Sequence, residues 1–356
     1  MKKRLWAVMT AGAMVLLSLT GCSQGSAPAA PGPAGTQAAS GAEQPTQTQK
    51  TYYYVGINHN HPYWYDVHQG FEFAVDQFGC KVVKTGPDDF DFMAQAEALE
   101  QAITKKPDGI IVPVFDASIL PGIKKAREAG IPVVAIESTM DGAQTNTYIG
   151  LDNVEAGSKT ASKLIETAGN SGKVVILGNF SAANTAQKLK GFKEYLSANS
   201  SWEVLAELDD DVNTETALET AKTAFNNYPD MTAIVGLDSS SGAGIGGAME
   251  ELKREPGSIT AIVHDREVAT LEYIQKGYLN CTLVNKTASM PYEAIAVLEQ
   301  LTQRNAMGIP ICADNQASGV DPIPSNMYTG IVYVTGDNVE NFMTENMKKL
   351  DSDLYQ

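Results

Sequence analysis

The chain has 356 residues, 43% hydrophobic and 19% charged, a balance that excludes general disorder and leaves room for about two domains. Asp and Glu number 42 against 26 Lys and Arg, a formal net charge of -16; such a surface repels phosphate backbones and argues against nucleic-acid binding. Four cysteines in this length cannot form a disulfide scaffold. At the start, Lys2, Lys3 and Arg4 precede a short apolar run from Ala7 to Leu19. The run is too short for a stop-transfer helix and ends in small residues, as an export signal does.

That run closes on Leu19-Thr20-Gly21-Cys22, which resembles the lipobox of bacterial lipoproteins. The resemblance implies that residues 1–22 hold a signal peptide and that Cys22 is lipidated and becomes the mature N-terminus. Cleavage there removes three cations and no acid, so the remainder is more acidic still. Residues 23–50 are almost entirely Gly, Pro, Ala, Ser, Thr and Gln, which cannot build a core and read as a tether. As a flexible coil this tether would reach about 30 Å root-mean-square, with Pro28, Pro31 and Pro33 stiffening it. Folding is expected from Thr51 onward. No later run is apolar and long enough to span, so membrane attachment is expected through the lipid alone.

From Tyr52, short apolar or β-branched runs alternate with amphipathic stretches. Strands are predicted at Tyr52–Asn58, Lys81–Thr85, Gly109–Pro113 and Val133–Glu137, then at Lys173–Leu177, Glu203–Glu207, Ala233–Gly236 and Thr260–His264. Runs such as Ile110-Ile111-Val112 do not alternate with polar residues, which suits strands buried on both faces of a parallel sheet. Met93, Ala96, Leu99, Ala102 and Ile103 recur at helical spacing. Asp116 and Asp141 read as caps or turns; Pro107, Gly130-Ile131-Pro132 and Pro229 read as helix stops. The fold class is therefore α/β: two doubly wound, mainly parallel-sheet lobes in tandem.

In open α/β sheets, ligands bind beyond the carboxyl ends of the strands. The first predicted strand ends in Asn58, followed by His61-Pro62-Tyr63-Trp64, and the fourth ends in Glu137. In the second series, Asp238 follows Gly236, Asp265 follows His264, and Cys281–Asn285 ends in an amide. Carboxylates and amides exchange hydrogen bonds with sugar hydroxyls, and the C–H face of a sugar ring can lie on Tyr or Trp. Each acid or amide can equally cap a helix, and Tyr63 and Trp64 can equally be core residues of the first helix.

The segment Val55-Gly56-Ile57-Asn58 through Trp64, with Gly70-Phe71, resembles the opening of type I periplasmic sugar-binding proteins of the ribose/galactose type. Asp108 to Val112, Gly130 to Val134, Lys190-Gly191-Phe192 and Val263-His264-Asp265 extend the resemblance over nearly everything after residue 51. It implies two lobes crossed three times by the chain, near Asp152-Asn153, near Asn285-Lys286 and between Ala317 and Ser325. Residues 51–152 plus 286–317 would form the N-terminal lobe; 153–285 plus 318–356 would form the C-terminal one. It further implies ligand binding by Tyr63, Trp64, Glu137, Gln187, Asp265 and Asn285, to which their places at strand ends add Asn58 and Asp238. Glu137 stands where the family usually has Asp. Ser138 and the stretch from Asn184 to Lys188 stand where the ribose-binding type has arginines, with Gln187 or Lys188 as substitutes. Lys84 to Pro87 and Leu237-Asp238-Ser239 look more like the rhamnose- and autoinducer-binding branch.

Other patterns carry weaker readings. Gly242, Gly244 and Gly247 fit a dinucleotide fingerprint, but Leu237 to Ser241 separates them from the strand, so they are expected inside a helix as packing residues. Asp209, Asp211 and Asn213 begin like a calcium loop, but Thr214 and Thr220 replace its required Gly and Glu; Asn213 or Thr214 is expected to cap a helix. His59, His61 and His68 could suggest zinc, but a closed site would need a fourth ligand such as His264 or Glu137, and hydrogen bonding to a ligand or plain surface exposure is the expectation. No nucleophile has a base beside it in a known catalytic motif. The resemblance thus implies a lipid-anchored binding protein on the extracytoplasmic face of the cell membrane. It would be monomeric, without cofactor, metal or enzymatic activity, and would pass a small neutral sugar, sugar alcohol or deoxysugar to the permease and ATPase of an ABC importer. A receptor that signals to a sensor kinase or chemoreceptor is the alternative, and an exported sugar-acting enzyme the third reading.

Overall fold

The computed structural model describes residues 49–303 and 306–343. The export signal, Cys22 and nearly all of the tether lie outside the described residues. The first run of elements is β1 (Thr51–Val55), α1 (Trp64–Phe78), β2 (Lys81–Thr85), α2 (Phe92–Thr104), β3 (Gly109–Val112), α3 (Leu120–Glu128), β4 (Val133–Ile136) and β5 (Thr147–Gly150). The second is α4 (Asn153–Ala168), β6 (Ser171–Leu177), α5 (Ala183–Asn199), β7 (Ser201–Leu208), α6 (Thr214–Asn227), β8 (Ala233–Gly236), α7 (Ser239–Glu251), β9 (Thr260–His264), α8 (Val268–Gln275) and β10 (Cys281–Asn285). Then follow α9 (Ser289–Thr302), β11 (Asn326–Tyr328) and β12 (Ile331–Val334).

The strands form two sheets of one topology, β11-β5-β4-β3-β1-β2 and β12-β10-β9-β8-β6-β7. Neighbours are parallel except β10 and β12, which are antiparallel. Strand order reverses at β1/β3 in one lobe and at β6/β8 in the other, the crevice positions where such folds bind ligands. Both faces of each sheet are covered. In the first lobe Ile111, Val134 and Ile136 pack with residues of α1 and α9, while Ile110, Val112 and Val133 pack with residues of α2 and α3. The second lobe repeats this with Val175, Ile234 and Val263 on one face and Val174, Val235 and Ile262 on the other. Burial on both faces is why these strands read as continuous apolar runs.

Helix starts follow their caps. Asp91 accepts from the N–H groups of Met93 and Ala94 to open α2, and Asn213 accepts from Glu215 and Thr216 to open α6. Gly242, Gly244 and Gly247 lie inside α7, where a Cβ on Gly244 would stand 2.4 Å from that of Ala217 and one on Gly242 would meet Thr270. Helix packing, not a phosphate, occupies these glycines. Closer still, a Cβ on Gly157 of α4 would lie 1.8 Å from the carbonyl oxygen of Lys188, and one on Gly191 of α5 would lie 1.9 Å from that of Val154. Helices α4 and α5 therefore touch backbone to backbone.

Two boundaries differ from the sequence reading. β1 stops at Val55, which leaves Asn58 on the loop before α1. Asn326–Tyr328 pairs with β5 in the first sheet, so the third passage between lobes falls at Thr329-Gly330, later than Ala317 to Ser325. Residues 318–328 thus run with the first lobe. Cys80, Cys281 and Cys312 are free thiols.

Candidate functional site

The carboxyl ends of the two sheets face each other across a cavity of about 470 Å³, counting space open to solvent. Its walls include Asn58, His61, Tyr63, Trp64, Phe90, Phe115 and Glu137 of the first lobe. The second lobe contributes Asn184, Thr185, Lys188, Asp238 and Asp265. Trp64 is buried and meets Phe115 edge to face, with ring centroids 6.3 Å apart. A second cavity adjoins the first, shares Tyr63 and Asp265 with it, and includes Asn285 in its wall.

The principal acids occupy equivalent positions. Glu137 follows β4 with φ +65°, and Asp265 follows β9 with φ +67°. Left-handed backbone costs a residue other than glycine about 1–3 kcal/mol, so surrounding bonds must enforce it. The enforcing bonds match. The Glu137 N–H donates to the Ile149 carbonyl at 3.1 Å, and the Tyr148 hydroxyl donates to the Glu137 carbonyl at 2.9 Å. The Asp265 N–H donates to the Leu283 carbonyl at 3.0 Å, and the Thr282 hydroxyl donates to the Asp265 carbonyl at 2.5 Å. Around Glu137 the Ser138 N–H also donates to the Ile136 carbonyl at 2.7 Å, closing a three-residue turn.

The side chains differ. Glu137 Oε2 accepts from the Tyr63 hydroxyl and from Asn285 Nδ2 at 3.0 Å; Oε1 accepts from Asn184 Nδ2 at 3.5 Å. Two of these donors belong to the second lobe. Asp265 caps no helix: α8 starts three residues later, behind Glu267, without a side-chain cap. Burial pushes Asp265 up to about 7, against the pull of Lys188 and with the repulsion of Glu137 and Asp238. Burial likewise raises Glu137, while Lys188 and its three hydrogen-bond donors hold it down.

Asp238 is largely committed. One oxygen accepts from the N–H groups of Ser240 and Ser241 and from the Ser241 hydroxyl, and the other accepts from the Asn179 N–H. It is the cap of α7 as well as part of the wall. The same Ser241 hydroxyl reaches Asp210 at 2.5 Å; burial, with the nearby Asp238 charge, lifts Asp210 to about 9. Lys188 is buried, and its ammonium donates to the Leu237 carbonyl at 3.2 Å. Burial and Lys188 together keep His264 neutral. Among the described residues, no group of three or more His, Cys, Asp or Glu is placed to hold a metal ion.

A family model described as a periplasmic binding protein domain matches residues 52–307. The chain belongs to this family. Among curated relatives of this binding protein, the D-allose-binding periplasmic protein of Escherichia coli is 21% identical over 73% of the chain and 82% of the relative. The ribose import binding protein of Bacillus subtilis is 23% identical over 64% of the chain and 73% of the relative. A sugar-binding protein of a sugar ABC transporter from Bacillus halodurans superposes with a TM-score of 0.74 at 28% identity, covering 82% of the chain and 100% of that structure. The glucose-galactose binding protein GanP from Geobacillus stearothermophilus superposes at 0.73 and 23% identity, over 82% and 99%, and shares the fold. The relatives are named as binding proteins, and the chain is a type I periplasmic binding protein. No helix among the described residues is long and apolar enough to cross a membrane.

Of the side chains picked from the sequence, Asn58, Tyr63, Trp64, Glu137, Asp238 and Asp265 line the first cavity of this binding protein. Asn285 stands in the wall of the second, bonded to Glu137. Gln187 is not in either wall. It turns toward the first lobe, where its amide donates to the Thr139 carbonyl at 3.1 Å. The helical period explains the exchange: Asn184 and Lys188 share a face of α5, and Gln187 lies beside it. Asn184, Thr185, Phe90 and Phe115 also line the cavity without a strand-end signal in the sequence; the phase of α5, once its start at Ala183 is known, picks out the first two.

Proposed function

We propose that this binding protein captures a small neutral sugar, sugar alcohol or deoxysugar between its lobes and delivers it to an ABC importer. Asp265 carries the reading. Its buried carboxylate sits in an aromatic-walled cavity, at a backbone position that costs energy to hold and without a helix to cap. A carboxylate so placed can accept from two neighbouring hydroxyls, while Lys188 and Asn58 supply donors and Tyr63 and Trp64 offer ring surface to the sugar C–H face. Glu137 and Asp238 oppose a phosphate, and the nearby arginine, Arg266, pairs with Asp66 at 2.5 Å outside the first cavity.

Delivery would require a permease and its ATPase as partners. The lipobox at Cys22 and the tether of residues 23–50 support a monomer held by lipid on the extracytoplasmic face of the cell membrane. Calorimetric titration with neutral sugars and polyols, sugar phosphates and amines tests the ligand class. A neutral polyol is expected to bind; tight binding confined to phosphates or amines would reject the reading. Cys22→Ala should release the protein from the membrane fraction, and its retention there would reject the anchor.

A further inference from the structure

We infer that Glu137 is a positioning residue: a latch that holds the two lobes closed rather than the acid that grips the ligand. The inference rests on the binding reading above but on different bonds. A carboxylate oxygen offers two lone pairs. Both on Glu137 Oε2 are taken, by the Tyr63 hydroxyl and Asn285 Nδ2, and Oε1 receives Asn184 Nδ2 at 3.5 Å. Glu137 can therefore accept at most about one ligand hydroxyl.

Its partners span the cleft. Tyr63 stands in the first lobe at the start of α1, Asn184 on α5 and Asn285 at the end of β10. The Asn285 bond is also tied to the passage between lobes, since the Thr329 hydroxyl donates to Asn285 Oδ1 at 2.7 Å. The three-residue turn and the Tyr148 hydroxyl fix the Glu137 backbone, so side-chain length decides the reach. An aspartate there would withdraw its carboxylate by one methylene toward the first lobe and away from Asn184 and Asn285. Ligand and latch would then act in series: the ligand meets Asp265, and Glu137 holds the closed arrangement.

The test compares wild type with Glu137→Asp and Asn184→Ala by two measurements. The first is the radius of gyration of the ligand-free protein in solution. The second is affinity for the best-binding sugar and for each of its monodeoxy analogues. A latch predicts that Glu137→Asp expands the ligand-free protein, with Asn184→Ala doing so less. It also predicts affinity lower by at least about tenfold for Glu137→Asp, which gives up one or both of the Asn184 and Asn285 bonds, and by the same factor for every analogue. An unchanged radius, or a factor that vanishes for one analogue, would show Glu137 gripping that hydroxyl and overturn the inference. If no sugar binds, the ligand reading fails and scattering alone decides the latch.

Discussion

The two walls of the cleft solve one backbone problem twice and then diverge. Glu137 and Asp265 end equivalent strands, share the same left-handed conformation, and are held by an N–H to the neighbouring strand and a hydroxyl on the carbonyl. What differs is the company of the carboxylates: that of Glu137 is met by Tyr63, Asn184 and Asn285, while that of Asp265 faces both cavities. Equivalent position in a duplicated architecture thus fixes where a side chain is delivered. The neighbours then decide which hydrogen bonds that side chain is left free to make.

Asp265→Gly should break the comparison most sharply. Glycine accepts the positive φ, so the variant removes the carboxylate without adding backbone strain. Two charge-assisted bonds, each about 1.5–3 kcal/mol, would be lost, and affinity should fall by at least about tenfold with little change in melting temperature. A lower melting temperature at unchanged affinity, read on the same sample, would make Asp265 a structural residue.

A smaller effect follows from protonation. Ligand hydroxyls donate to the ionised form of Asp265, so affinity should rise as pH climbs through about 7, the value to which burial raises this group. Asp265→Asn should flatten that profile; titrations at several pH values check both. Stability carries the opposite sign. Between the ordinary value of about 3.9 and about 7, the folded state keeps a proton that the unfolded chain has released. The favourable contribution is complete below that window and gone above it. Asp265→Asn should therefore gain in melting temperature relative to wild type as pH rises from about 4 to about 8.

Asp210, raised to about 9 by burial and the Asp238 charge, lies outside both cavity walls and gives a contrast in stability with the least effect on affinity. Its stabilising contribution is complete below the ordinary value of about 3.9 and is lost progressively as pH rises to about 9, so Asp210→Asn should gain in melting temperature relative to wild type at neutral pH and gain further in alkali. A fall at both would show that the Ser241 bridge needs a carboxyl.

Strand termini made much of this site legible. Apolar runs buried on both faces mark the strands, and an acid directly after such a run lands at the cleft, as Glu137 and Asp265 do. The same rule brought in Asp238, whose oxygens turn out to open α7, because acids serve caps and ligands alike. Gln187 failed on helical phase, one residue from Lys188. β11 and β12 leave no mark in the sequence because strands of three and four residues at sheet edges carry little pattern of their own; pairing with distant Tyr148 and Thr282 creates them. The shift of the third passage follows from the same blindness.

That passage has a mechanical side. The Thr329 N–H donates to the Gly150 carbonyl at 2.9 Å, and its hydroxyl lies between Asn285 Oδ1 at 2.7 Å and the Gly150 oxygen at 3.2 Å. Gly150, Asn285 and Thr329 each stand where the chain leaves one sheet for the other. All three crossings are thereby knotted at one point, like the pin of a pair of tongs. A pinned joint turns but does not slide. Each swing of the lobes would bring the same side chains back into register, so that a cavity built half on each jaw is reassembled at every stroke.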